Sequence, residues 1–241
     1  MYFIAWIKST YYKKIVLISW QLFKALILNF IGVSLYFTIC FSFTHPRRTP
    51  LMVKRHFEQR KEVKEVDFKH QWVPLKKISP YMVQAVVASE DNRFMNHFGI
   101  DFGAIEKARD FNRKSTRRKR GASTISQQTA KNIFLWPART YIRKGFEVYF
   151  TVLIEACWSK KRVMEMYLNM IEMGPGIYGV EAAARQYFYK PASKLTKAEA
   201  AMIAISLPNP QKRNPARPSS YMYKRQQEIL YLMSKIGKVE L

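Results

Sequence analysis

The sequence predicts a mainly α protein with one membrane-spanning helix near its N-terminus. Three observations carry that expectation: a long uncharged run close to the start, a succession of helically spaced segments with readable caps after Val73-Pro74, and the lack of a persuasive hairpin signal.

The uncharged run comes first. From Ile15 to Phe43 the only charged residue is Lys24, and Ala25 to Phe43 carries no charge. At ~1.5 Å per residue such a run nearly crosses a ~30 Å hydrocarbon core, and residues upstream of Lys24 extend it. Asn29, Ser34 and Thr38 are mild polar costs within it. A cleaved signal peptide is the competing reading, opposed by the length of the run and by the lack of a small-x-small site before His45-Pro46. A buried core helix would ordinarily be shorter. The expected organisation is therefore an N-terminus over 1–14, a transmembrane anchor over 15–43, a charged connector over 44–70 and a folded domain over 71–241. Loop charges do not orient the anchor: Lys8, Lys13, Lys14 and Lys24 precede or enter it, and Arg47, Arg48, Lys54 and Arg55 follow.

The remaining elements are argued one by one. Ser79-Pro80 reads as an N-cap with proline at the first helical position, opening a helix through Val83, Val87 and Glu90. Ile142, Phe146, Tyr149, Leu153 and Ala156 recur at i, i+4, i+7, i+11 and predict a long amphipathic helix. Thr196-Lys197-Ala198-Glu199 is a capping box before an apolar helix that ends ahead of Pro208. A last helix carries Ile229, Leu232 and Ile236 and stops at Gly237. Pro208 to Pro218 is a proline-rich loop.

Composition bounds the function. The chain has 241 residues, 41 Lys and Arg against 17 Asp and Glu, a formal charge of +24 and 48% apolar residues, so it is not a disordered basic tail. Two cysteines make no disulfide framework, and no spacing reads as a zinc site. Such a charge calls for an anionic partner: nucleic acid, a membrane surface or a phosphate-bearing substrate.

Three constellations could carry chemistry. In Ser89-Glu90-Asp91-Asn92-Arg93-Phe94-Met95-Asn96-His97-Phe98-Gly99, Glu90 falls where a helix would end, near the negative pole of its dipole. That setting raises a carboxyl pKa and suits a general base or acid; an exposed Glu-Asp pair is the plain alternative. In Arg120-Gly121-Ala122-Ser123-Thr124-Ile125-Ser126-Gln127-Gln128-Thr129-Ala130-Lys131, hydroxyls and amides crowd a helix start. They suit an anion or sugar cradle, or, more plainly, a cap at Ser123 or Thr124 completed by Gln127. In the third, Arg139 and Arg143-Lys144-Gly145-Phe146-Glu147, Arg143 and Glu147 stand at i, i+4. This is an ordinary surface pair or part of a pyrophosphate grip. Between the first two lies Arg113–Arg120, six basic residues in eight. The anchor makes anionic lipid headgroups a better partner for that run than nucleic acid, and a solvated loop is the plain reading.

Read in order, these stretches resemble the motifs of the peptidoglycan glycosyltransferases, family 51 of the sugar transferases. The resemblance covers about residues 71–220. It continues through Val163-Met164-Glu165-Met166-Tyr167-Leu168-Asn169 and a Gly-rich stretch into Val180-Glu181-Ala182-Ala183-Ala184 and Tyr187-Phe188. It implies a lysozyme-like helical domain behind a single-pass anchor in the bacterial inner membrane, facing the periplasm, with 1–14 cytoplasmic. The implied reaction joins lipid II units into β-1,4 glycan with inversion and release of undecaprenyl pyrophosphate. Glu90 would be the base and Glu147 a second catalytic carboxylate near the donor pyrophosphate. Asp91, Phe94, His97, Ser123, Thr124, Gln127, Gln128, Lys131, Arg139, Arg143 and Lys144 would bind substrate. The resemblance implies no required cofactor and no protein metal site, with a divalent cation (Mg or Mn) at the pyrophosphate compatible with it. Its partners would be lipid II, the growing strand, membrane lipid and other cell-wall synthesis or division proteins, not nucleic acid.

The chemistry agrees with the residues. A pyrophosphate leaving group needs cations rather than a strong acid, so one base and a basic cleft suffice where a glycosidase generally uses two carboxylates. A lysozyme-like muramidase is the rival enzymatic reading, and a basic membrane-anchored binding protein the non-enzymatic one. The chain has no Ser-x-x-Lys and no Lys-Thr-Gly, so no transpeptidase activity is expected. Ser126 stands where Thr is commoner in the family, and Met173-Gly174-Pro175-Gly176 is a stiffer version of its loop.

Overall fold

A computed structural model describes residues 2–62, 68–115, 121–138 and 140–241, with side chains described from Lys14 onward except at 59–62. It divides into two compact units, Met1–Thr44 and His45–Leu241.

The first unit is one helix, α1 (Tyr2–Phe43). Its part from Lys14 to Phe43 is long and apolar enough to cross a membrane, and Leu22, Leu26, Leu28, Tyr36 and their neighbours are exposed. The hydroxyls of Ser34 and Thr38 donate to the carbonyls of Ile31 (3.0 Å) and Ser34 (2.7 Å). Both polar groups are thereby satisfied within the helix, which removes most of their cost in an apolar medium.

The second unit is mainly helical. The stretch expected as a connector is packed into it: α2 (Pro50–Glu62) buries Met52 completely. Strand β1 (Lys69–His70) then pairs with a hairpin formed by β2 (Glu172–Gly174) and β3 (Ile177–Tyr178), in the order β1-β3-β2. β1 runs parallel to β3, while β2 and β3 are antiparallel with an irregular register. The sequence offered no hairpin signal because the turn is Pro175-Gly176 between two very short, buried strands, too brief for an alternating pattern.

Around this sheet lie α3 (Pro80–Glu90), α4 (Phe102–Lys114), α5 (Ile125–Phe134), α6 (Tyr141–Cys157), α7 (Lys160–Met170), α8 (Val180–Phe188), α9 (Lys197–Ser206) and α10 (Ser220–Ile236). α3 and α9 are buried all round, from Met82 to Ala88 and from Ala200 to Ser206. A helix apolar on every face belongs in the interior, and the alanines there let neighbouring backbones approach. α10 packs on both, burying Met222, Ile229 and Met233. A second layer stacks α5 against α6 and α7, with Phe134 on Phe150 (ring centroids 4.5 Å apart).

The expected caps take different forms. Thr196 and Glu199 form the reciprocal box, and Gly237 closes α10 at φ 66°. Ser79 caps α3 by backbone alone, because its hydroxyl donates to the Leu195 carbonyl instead (2.8 Å). Residues of the fourth and fifth resemblance motifs act as clamps. Asn169 holds both the N–H and the carbonyl of Val73 (2.9 Å each), Glu165 accepts from the Leu75 N–H, and Glu181 accepts from the Ala192 N–H (2.8 Å each).

Candidate active site

The first constellation is built where α3 ends. Glu90 is its last residue, and Asp91 turns the chain out with an extended backbone (φ −160°). The following turn is anchored by Phe94, which is 0% exposed, with the Lys160 ammonium 4.6 Å from its ring centroid. Asp91 points away from Glu90. Its carboxylate accepts from His97 Nε2 (2.9 Å) and from the backbone N–H of Ile125 at the start of α5 (3.1 Å).

Other bonds tie the same loop to α5 and α6. The Thr124 hydroxyl donates to the Gly99 carbonyl (2.6 Å), Ser126 donates to Glu155, and Lys160 bridges Glu155 (2.8 Å) and the His97 carbonyl (2.7 Å). Gly99 is required here: its φ is +75°, and a Cβ would stand 2.6 Å from Thr151 Cγ2. Asp91, His97 and Asp101 bring ligand-type atoms within 4.8 Å of one another. Asp91 is engaged as described, Asp101 caps α4 through the Ala104 N–H, and His97 Nδ1 is buried without a hydrogen-bond partner among the described residues.

The second constellation separates its two glutamines. Thr124 and Gln127 complete a capping box at α5, so Gln127 (3% exposed) is held to the helix end and does not line the cleft. Gln128, the next residue, points to Glu90: its Nε2 donates to Glu90 Oε2 (2.8 Å), and its Oε1 accepts from Tyr167 (3.2 Å). Burial raises the Glu90 pKa, opposed first by this bond and then by the charges of Arg213, Arg225 and Lys131. The direction is the one expected from sequence, and burial is its largest cause.

The third constellation surrounds Glu147. This carboxylate, 3% exposed, accepts from Arg143 Nη1 (2.6 Å) and from Lys144 Nζ. Its two oxygens are each paired with a cation. Burial lowers the Lys131 pKa, while the nearby Glu147 charge works the other way.

Gln128, Lys131 and Arg143 line a cleft of about 630 Å³ together with residues of α2, Glu172 and the Pro208–Gln211 loop. Arg143 Nε is buried there with no hydrogen-bond partner among the described residues. Ser123 is exposed at the loop before α5. Arg139 and residues 116–120 of the basic run lie outside the described residues.

Asp91, Phe94, His97, Thr124 and Gln127, expected to touch substrate, are thus turned into the fold, where they fix the positions of Glu90 and α5. Arg213, Arg225, Tyr167 and Glu172 were not singled out from sequence. They reach the site from distant segments: Tyr167 lies in the fourth resemblance motif without having been assigned a role, and no local spacing marks the other three.

A model of the transglycosylase family matches residues 58–234. The chain is similar to proteins named biosynthetic peptidoglycan transglycosylase. It is 53% identical over 215 residues to that of Bacteroides thetaiotaomicron, covering 89% of this chain and 86% of that one. It is 50% identical over 207 residues to that of Bdellovibrio bacteriovorus (86% and 82%) and 49% over 209 residues to that of Caulobacter vibrioides (87% and 88%). The chain therefore belongs to the transglycosylase family, whose domain is a helical, lysozyme-like fold.

Proposed function

We propose that this transglycosylase polymerises lipid II into β-1,4 glycan strands of peptidoglycan, with release of undecaprenyl pyrophosphate. The observation that carries the reading is the position of Gln128. It bonds the half-buried Glu90 and also lines the cleft that holds Lys131 and Arg143. One residue thus joins a base to a cationic wall, as an attack on a sugar pyrophosphate requires.

In the proposed step the acceptor 4-hydroxyl gives its proton to the Glu90 carboxylate while its oxygen attacks the anomeric carbon of the donor. The bond from that carbon to the pyrophosphate oxygen breaks, its electron pair leaves with the phosphate, and the centre inverts to β. A carboxylate whose pKa is raised by burial is a stronger base near neutral pH. Lys131 and Arg143 take up the charge on the leaving pyrophosphate, and Lys144 and Arg139 join them on the strength of the resemblance. Glu147 holds Arg143 and Lys144 in place.

The chemistry needs no cofactor. A divalent cation would travel with the pyrophosphate, because the carboxylates near the cleft are already engaged: Glu147 with Arg143 and Lys144, Glu58 with Lys54 and Arg55, and Glu172 with Gln211 and Arg55. α1 serves as the inner-membrane anchor, with the second unit in the periplasm, raising the local concentration of a membrane-borne substrate. Other cell-wall synthesis or division proteins are proposed as partners, and nucleic acid has no part.

The test is purified full-length protein with lipid II, the product run on a gel with and without muramidase digestion. A ladder removed by muramidase is expected. Cleavage of preformed glycan without new polymer would overturn the reading in favour of a hydrolase.

A further inference from the structure

The cleft is lined from two sources, and the mechanism above uses one of them. Lys131 and Arg143 come from α5 and α6. Arg55 comes from α2, which carries none of the motifs, and Glu172 and Gln211 complete that part of the lining. Arg55 Nη1 donates to Glu58 (3.0 Å). Its Nε lies 3.7 Å from Glu172 Oε2, an ion-pair distance too long for a hydrogen bond, and is buried with no hydrogen-bond partner among the described residues.

Glu172 holds Arg55 weakly for a physical reason. Its Oε1 accepts from Gln211 (2.5 Å), leaving Oε2 to face the guanidinium at a distance. Burial pushes its carboxyl pKa up, so the carboxylate form is itself disfavoured there. Arg143 Nε is the second buried guanidinium donor without an acceptor on the same cleft. A buried donor left unmade is costly, and a charge-assisted bond to an oxyanion is among the strongest ways to satisfy it. The forked guanidinium matches phosphate better than an ammonium does.

We propose that Arg55 is a second phosphate-binding arm of the cleft, exchanging its long ion pair with Glu172 for an oxygen of the substrate pyrophosphate. The inference rests on the glycosyltransferase reading and adds to it a ligand from outside the motifs. The plain alternative is that Arg55 only ties α2 to β2.

The experiment uses full-length protein in detergent micelles, with inorganic pyrophosphate titrated by calorimetry and initial polymerisation rates measured against lipid II. Arg55→Ala is expected to weaken pyrophosphate binding about tenfold and to raise KM for lipid II by a similar factor, with kcat within about threefold. Arg55→Lys keeps the charge and stem and should recover part of the affinity. The deciding variant is Glu172→Gln. As a ligand, Arg55 would be released by it, and pyrophosphate binding should tighten or hold. As a mere tie, its partner's loss should weaken binding as Arg55→Ala does, and that result overturns the proposal.

Unchanged pyrophosphate affinity in a folded Arg55→Ala protein overturns it too. So does a loss confined to binding of phosphatidylglycerol vesicles, which would make Arg55 a lipid-headgroup contact. Wild-type protein that polymerises lipid II while ignoring Arg55 removes this inference alone. Protein that binds pyrophosphate through Arg55 yet makes no polymer removes the proposed function and leaves this site.

Discussion

Glu90 and Glu147 are a half-buried and a buried glutamate on two helices, and their surroundings differ in kind. Glu90 receives one hydrogen bond from a neutral amide, Gln128, and feels cations only at a distance. Glu147 is held directly by Arg143 and Lys144. A carboxylate held by an amide keeps an affinity for a proton that burial strengthens, whereas one held by two cations spends its charge on orienting them. Spacing showed two glutamates near basic residues, and only their partners separate the base from the positioning group in the proposed mechanism.

The largest expected effect breaks the first half of that comparison. Glu90→Gln keeps the shape but accepts no proton at neutral pH, so polymerisation should fall by ~10²–10⁴, the range of a general base. Its stability should move the other way. Because the folded pKa of Glu90 is raised, native protein binds more protons than unfolded protein from the ordinary carboxyl range up to the folded value. Across that window the ionisable residue loses stability as pH rises. Glu90→Gln should therefore melt higher than wild type at neutral pH, with the gap closing in acid. An inactive variant that melts lower at all pH values would mean that Glu90 is structural.

Glu147→Gln tests the other half. Removing one member of a buried pair leaves cations uncompensated, which costs several kcal/mol in fully buried cases. Lys144 is 43% exposed, so a smaller loss of about 1–3 kcal/mol is expected from that range. Turnover should fall about 10–100-fold through misplaced cations, with the pH dependence unchanged. A shifted pH profile would identify Glu147 as a proton acceptor and erase the distinction.

Gln128→Ala probes the bond that sets Glu90 apart. That bond holds the Glu90 pKa down against burial, so its loss should move the rising limb of rate against pH to higher pH. The direction of that shift is the test, since loss of a hydrogen bond to the ionised carboxylate disfavours the charged form. An unmoved limb would mean that another group titrates in the rate.

What was legible in the sequence was local. The extent of α6, the box at Thr196 and Glu199 and the stop at Gly237 are each set by neighbours within a turn or two, and the structure has all three. The face of α6 was not legible: the stripe from Ile142 to Ala156 stays partly or fully exposed, and Glu147, Phe150, Thr151, Ile154 and Glu155 are buried instead. The packed α2 was missed because its fit depends on contacts such as that of Arg55 with Glu172, more than a hundred residues away. The raised pKa of Glu90 was expected, yet its cause was not, since burial is a sum over the whole fold. For Asp91 and Phe94 the motif marked residues that matter without telling which way their side chains turn.

The smallest effect concerns two adjacent residues. Gln127 and Gln128 are indistinguishable by type and position in the motif, but one caps α5 and the other reaches Glu90. Gln127 Oε1 accepts from the Thr124 N–H (3.1 Å), so Gln127→Ala should remove half of a capping box and cost about 1 kcal/mol. In a domain of this size that is a fall of ~2–4 °C in Tm. Rate per folded molecule should stay within about twofold and its pH profile should not move, because Thr124 still binds Gly99 and Asp91 still holds the Ile125 N–H. Paired measurements on Gln127→Ala and Gln128→Ala then separate a residue that supports the site from one that tunes it. A tenfold loss of rate in Gln127→Ala without a change in Tm would place that side chain on the substrate after all.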